Sequence, residues 1–126
     1  LQRGRGETIL VVDDEPAVLA IGQRQLQNLG YEVLAAGSAR EAASLVRTHP
    51  GKIDLLLTDV IMPEMNGPEL VRMVVVLRPG IRCLYMSGYT ADQLASEGML
   101  DKDTRVLLKP FTNEILAVEI RQMLDA

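Results

Sequence analysis

Five short runs rich in β-branched and aliphatic residues, at 8–12, 31–35, 53–58, 81–86 and 105–108, recur along the chain, each followed by a stretch of helical period. This strict alternation restricts the fold more than any other feature, because strands joined through helices lie parallel and their crossovers are right-handed. The runs are apolar almost throughout, so both faces of the sheet are expected to be covered by helices. A chain of 126 residues has room for one such domain and not for two.

The helical stretches carry their own punctuation. Leu70, Met73, Val74 and Leu77 fall at i, i+3, i+4 and i+7, as do Ala39, Ala42, Ala43 and Val46, so each set forms one stripe to lay against the sheet. Ser38 with Glu41, Asn66 with Glu69 and Thr90 with Gln93 have capping-box spacing or a near version of it. After Thr112, a last helix is expected to bury Leu116, Ile120, Met123 and Leu124 and to carry Glu114, Glu119 and Arg121 elsewhere on its surface. The expected architecture is a doubly wound α/β domain with a five-stranded parallel sheet, and the strand order 2-1-3-4-5 of flavodoxin-like folds is adopted by analogy. The stretch 1–6, with Gly and Arg and no initiating Met, reads as a linker or cloning remnant ahead of a domain at 7–126.

In a parallel sheet all strands point the same way, and ligands of open α/β sheets bind at the carboxyl edge. Here that edge collects Asp13, Asp14 and Glu15 from the first run, Asp59 from the third, Ser87 from the fourth and Lys109 with Pro110 from the fifth. Taken singly, each has an ordinary explanation: Asp14 as a helix cap, Asp59 and Ser87 as turn chemistry, Lys109 as a solvated flank. Taken together, Asp13, Asp14 and Asp59 should converge where the first and third strands lie side by side. Unit like charges about 4 Å apart repel by about 4 kcal/mol at an effective dielectric near 20. A hard divalent cation with oxygen ligands, Mg²⁺, answers that repulsion and leaves room for a phosphate oxygen. Lys109 adds a positive charge and Ser87 a hydroxyl donor. A carboxylate in such a place can act as a nucleophile toward phosphorus, and Asp59, at the centre, is the physical choice.

The set Asp13-Asp14-Glu15, then Leu57-Thr58-Asp59-Val60-Ile61-Met62-Pro63 with Gly67, then Ser87-Gly88, then Lys109-Pro110-Phe111, resembles the response-regulator receiver domains of two-component signalling. The resemblance covers essentially the whole chain after Gly6. It implies that Asp59 is the phosphoacceptor and that Asp14 and Asp59 ligate Mg²⁺ directly. Asp13 would act through water, and the backbone carbonyl of Ile61 would complete the protein ligands. Ser87 and Lys109 would bind the phosphoryl oxygens, and the Lys109–Pro110 bond is expected to be cis. The run Tyr85-Met86-Ser87-Gly88-Tyr89-Thr90 also looks like receivers fused to hybrid histidine kinases. One departure stands out: three residues before Lys109, where many relatives carry a switching aromatic, this chain has Val106. Tyr89 is then the candidate substitute, and Ile61 and Tyr89 flank the site.

By the same resemblance the domain is a phosphoacceptor and not an enzyme acting on a separate substrate. Its partners would be a histidine kinase or a histidine phosphotransfer domain, and its output face the fourth helix, fifth strand and fifth helix. A net charge of −4 and a pI near 5.0 give no field for phosphate backbones, so no direct nucleic-acid contact is expected. The longest apolar runs fall far short of the roughly 20 residues of a membrane span, so the expected location is the cytoplasm, with or without a membrane-associated kinase attached. Cys83, the single cysteine, reads as a small buried hydrophobe, and His49, ahead of Pro50, as a solvated residue ending a helix. The rivals are a phosphorylation-independent interaction module of the same fold, a phosphohydrolase with an aspartyl-phosphate intermediate, and a flavodoxin-like cofactor binder. The second needs a cap and general acid that the chain does not offer, and the acidic edge would repel the phosphate of the third.

Overall fold

The computed structural model describes residues 2–126; of the stretch 1–6, residue 1 lies outside the described residues. Ten elements alternate without exception: β1 (Thr8–Val12), α1 (Pro16–Asn28), β2 (Glu32–Ala36), α2 (Ala39–Thr48), β3 (Leu55–Asp59), α3 (Gly67–Leu77), β4 (Arg82–Ser87), α4 (Ala91–Ser96), β5 (Val106–Leu108) and α5 (Asn113–Leu124). The strands form one parallel sheet in the order β2-β1-β3-β4-β5, as expected.

Side chains of a strand point alternately to its two faces, and here both faces are buried. Ile9 and Val11 of β1 enter one core with Leu26 of α1 and Leu116, Ala117 and Ile120 of α5. Leu10 and Val12 enter the other with Ala42 and Val46 of α2 and Leu70 and Val74 of α3. That division is the physical reason for apolar runs without alternation. The stripe of α2, Ala39, Ala42, Ala43 and Val46, is buried throughout, as its spacing requires. In α3 the stripe ends one turn early: Leu77, its last residue, is 42% exposed. Contact with α2 passes instead to Arg78, whose guanidinium donates to the carbonyls of Val46, His49 and Gly51 and so satisfies the end of that helix.

Several strand boundaries lie later than the apolar runs. Expected at 31–35, β2 is Glu32–Ala36, because the amide of Tyr31 still donates to Leu26 at the end of α1. Expected at 53–58 and 81–86, β3 and β4 are Leu55–Asp59 and Arg82–Ser87. Their ladders run on through a polar residue at the end, since a ladder is made by backbone groups and continues where apolarity stops. Full capping boxes start α3 at Asn66 and α4 at Thr90, while Ser38 and Thr112 cap α2 and α5 by accepting an amide hydrogen bond from Glu41 and Ile115.

Arg121 departs from expectation. Expected on the surface of α5, it is only 5% exposed. Its guanidinium donates to Glu7 Oε2 and to Asp125 Oδ1, each at 2.6 Å, tying the entry to β1 to the end of α5. Helical period puts Arg121 one turn on from buried Ala117; a partner 114 residues away lets it stay buried. Ahead of Glu7, the amide of Gly4 donates to the Leu29 carbonyl, which seats the preceding segment on the α1–β2 turn. Burial alone would raise the Glu7 carboxyl, but the Arg5 amide and Arg121 outweigh it and hold the group below its ordinary range. Such a carboxylate stabilises the fold above its unfolded pKa, and the contribution is lost as pH falls through the folded value. Arg121→Ala is expected to cost about 2 kcal/mol, roughly 8 °C in melting temperature for a domain of this size. The difference from the native chain should narrow in acid; thermal melts across pH check both statements.

Candidate functional site

The carboxyl edge of the sheet brings together the residues expected there. Asp13 follows β1 and is fully buried; its Oδ1 accepts from the Glu15 amide at 3.0 Å, turning the chain into α1. Asp59 ends β3, and its Oδ1 accepts from the amide of Val60 at 2.9 Å. Asp14 lies half-buried beside them, and one carboxylate oxygen from each of the three falls within 4.8 Å of the others. Across the sheet, Lys109 Nζ donates to Asp13 Oδ2 at 3.0 Å and to Asp59 Oδ2 at 3.1 Å. Its backbone is fixed by donation to the Ser87 carbonyl at 2.7 Å, and the Lys109–Pro110 bond is cis, as expected.

Ser87 is buried at the end of β4, where its Oγ accepts from the Tyr89 amide at 2.9 Å; the hydroxyl proton remains free for another acceptor. Ile61 and Tyr89 are exposed on the rim of a groove between the loop after β3 and α4. Val106 stands in register with Tyr85 of β4. His49 closes α2 away from this edge, and Cys83 is half-buried in β4, where burial pushes its thiol up to about 11 and disfavours the thiolate.

Two backbone features hold the β3–α3 loop. Val60 donates to Met86 and accepts from Gly67, bringing the start of α3 against the end of β3. A Cβ on Gly67 would collide with the Asp59 carbonyl oxygen, so glycine is required for that approach. Thr58, fully buried, donates its hydroxyl to the Asp59 carbonyl at 3.0 Å. Its supporting part was not visible in sequence, where a threonine in an apolar run reads as a β-branched strand residue.

Three carboxylates against one ammonium leave an excess of negative charge. At separations within 4.8 Å each carboxylate pair repels by at least about 3 kcal/mol at an effective dielectric near 20. Burial pushes the Asp59 carboxyl up, and Asp13 adds to this; Lys109 and the Val60 amide offset it only in part. For Lys109, burial acts to lower the pKa, but its bonds to Asp13 and Asp59 win and hold the ammonium charged. The donor set is all hard oxygen, the set that suits Mg²⁺ and not a thiophilic metal.

Comparison with known proteins agrees with this geometry. The profile of the response regulator receiver domain matches residues 9–121. The chain belongs to the response regulator receiver domain family. Receiver domains are parts of two-component signalling, and this one is 39% identical over 118 residues to the sensor kinase CckA of Brucella abortus (strain 2308), covering 94% of this chain and 12% of that protein. It is 32% identical over 118 residues to the response regulator receiver protein CpdR of the same organism, covering 94% of this chain and 97% of that one. The chain therefore spans about an eighth of one relative and nearly all of the other. Among solved structures, the receiver domain from the hybrid histidine kinase CckA superposes with a TM-score of 0.76 at 34% identity, covering 93% of this chain and 98% of that one. A receiver domain from Clostridium thermocellum does so with a TM-score of 0.80 at 28% identity, covering 94% of each.

The raised Asp59 carboxyl has a consequence for stability. A carboxyl whose folded pKa lies above its unfolded value stabilises the fold below the unfolded pKa, and that contribution is lost as pH rises through the folded value. Asp59→Asn keeps the shape and removes the charge. With divalent cations chelated, it is expected to be more stable than the native chain at neutral pH by on the order of 1 kcal/mol, about 4 °C for a domain of this size. The gain should fade as pH falls through the range where Asp59 protonates.

Proposed function

We propose that this receiver accepts a phosphoryl group from a phosphohistidine onto Asp59 in a Mg²⁺-dependent reaction and thereby switches a partner-binding face. The observation that carries the reading is the Lys109 ammonium held between Asp13 and Asp59 inside a cluster of three carboxylates. Asp14 and Asp59 would hold the metal directly, Asp13 through water, with the backbone carbonyl of Ile61 completing the set. Bound there, Mg²⁺ supplies the charge neutralisation that lets an anionic phosphoryl group approach an acidic edge.

This chain's own residues do the rest. A carboxylate oxygen of Asp59 forms a bond to phosphorus as the bond from phosphorus to the donor imidazole nitrogen breaks, and the imidazole leaves with the electron pair. Lys109 is already charged and already on Asp59, so it can follow the transferred oxygens without a change of protonation. Ser87 has a free hydroxyl proton for a phosphoryl oxygen. The product carries a charge nearer −2 where a carboxylate of −1 stood. The added acceptors draw on Ser87 and Lys109, which lead into α4 and α5, so the face formed by α4, β5 and α5 would carry the output. With Val106 in place of an aromatic, Tyr89, exposed beside Ser87 and bonded to it through its amide, supplies the ring that changes position.

The partners on this reading are a histidine kinase or a phosphotransfer domain, in the cytoplasm and in one chain with the receiver or apart from it; 7–126 would be the working unit and 1–6 its lead-in. Among the described residues no helix is long and apolar enough to cross a membrane. Intact mass after incubation with acetyl phosphate tests the reaction. One phosphoryl adduct is expected, present with Mg²⁺, absent with chelator and absent in Asp59→Ala. No adduct, even with an active partner kinase, would leave a phosphorylation-independent interaction module.

A further inference from the structure

The loop between β5 and α5 carries Lys109, and its backbone has few ties. Lys109 donates its amide to Ser87, Pro110 has no amide proton, and the next polar tie is at Phe111, whose carbonyl accepts from Gln25 Nε2 of α1 at 3.2 Å. Among the described residues this is the one side-chain hydrogen bond between α1 and the loop. The Phe111 ring packs against the core cluster that holds Leu26 of α1, while Val18, Gly22 and Gln25 of α1 face Lys109 and Phe111 across a groove of about 330 Å³. Gly22 offers no side chain to fill it.

We propose that Gln25 is a positioning residue for Lys109, acting through the Phe111 carbonyl. The inference rests on the phosphoacceptor reading above and goes beyond it. Lys109 reaches two carboxylates at once through a long, flexible side chain, so the position of its Cα sets how much of the time the ammonium bridges both. Ser87 anchors the loop on the sheet side of Lys109. Gln25 anchors it on the far side, from the same helix that the acidic pair leads into. Without the second tie, only the packing of the Phe111 ring restrains the loop on that side, and Lys109 can shift along the groove and draw the ammonium from the carboxylates. Misplacement by about 1 Å of a group that orients a reaction costs on the order of 100-fold in rate; loss of one of two anchors is expected to cost about tenfold.

The test compares the native chain with Gln25→Leu, similar in size but with no donor, and with Gln25→Glu, isosteric but presenting an acceptor to the Phe111 carbonyl. Two quantities are read: the initial rate of phosphorylation by acetyl phosphate at saturating Mg²⁺, and the NMR resonance of the Lys109 ε-methylene, with exposed Lys52 and Lys102 as references in the same chain. In both variants the rate at saturating donor should fall about tenfold with half-saturation unchanged. The Lys109 resonance should move toward those of Lys52 and Lys102 while thermal melting still shows a folded domain. Native rate and native resonance in either folded variant would overturn the positioning role. So would a slower rate without movement of the resonance, which marks a merely structural effect. Failure of the native chain to form an adduct would instead overturn the phosphoacceptor reading, and the positioning role with it.

Discussion

The ammonium of Lys109, shared between Asp13 and Asp59, is the contact on which the arrangement of this domain turns. A parallel sheet sends every strand end to one edge, and this sequence puts carboxylates at two neighbouring ends, β1 and β3. Without a cation the edge would be a concentration of like charge in a partly dry place. Lys109 arrives from the other side of the sheet, 50 residues beyond Asp59 and 96 beyond Asp13, so the ion pairs close the fold as well as the site. Because one ammonium does not balance three carboxylates, the edge keeps an affinity for further positive charge and, through it, for an anionic group.

Stability and chemistry are in tension there. The two cores on either face of the sheet are built mainly of aliphatic side chains, and the far end is held by the buried guanidinium of Arg121 between Glu7 and Asp125. The chemical edge is the opposite: a buried carboxyl with a raised pKa, a hydroxyl with a spare proton and a loop across a groove. Functional edges commonly carry such costs, which the rest of the fold offsets.

Much of this was legible in the residues. The five alternations pointed to a parallel sheet covered on both faces, with its strand order taken by analogy; the stripes of α2 and α3 marked the face each buries, and Asp13, Asp14, Asp59, Ser87 and Lys109 could be assigned to one edge because parallel strands share it. What escaped reading depends on contacts between distant parts of the chain. Arg121 has the helical position of a buried residue and the chemistry of an exposed one, and only Glu7, 114 residues away, resolves the conflict. Strand ends moved because Asp59 and Ser87 continue their ladders, which hydrophobicity does not report. Gln25 and Thr58 carry no local signal, since each acts on a carbonyl and any residue has one.

The central claim is that one carboxylate of the three, Asp59, receives phosphorus while the other two serve it. The most direct measurement is to phosphorylate the native protein, reduce the acyl phosphate with borohydride so that the modified aspartate becomes homoserine, and sequence the tryptic peptides by mass spectrometry. Asp59 lies in the peptide 53–72 and Asp13 and Asp14 in the peptide 6–24, so the sites separate cleanly. The account predicts homoserine at position 59 and unmodified aspartate at 13 and 14. Homoserine at 13 or 14, or at Asp54 within the same peptide, would contradict it.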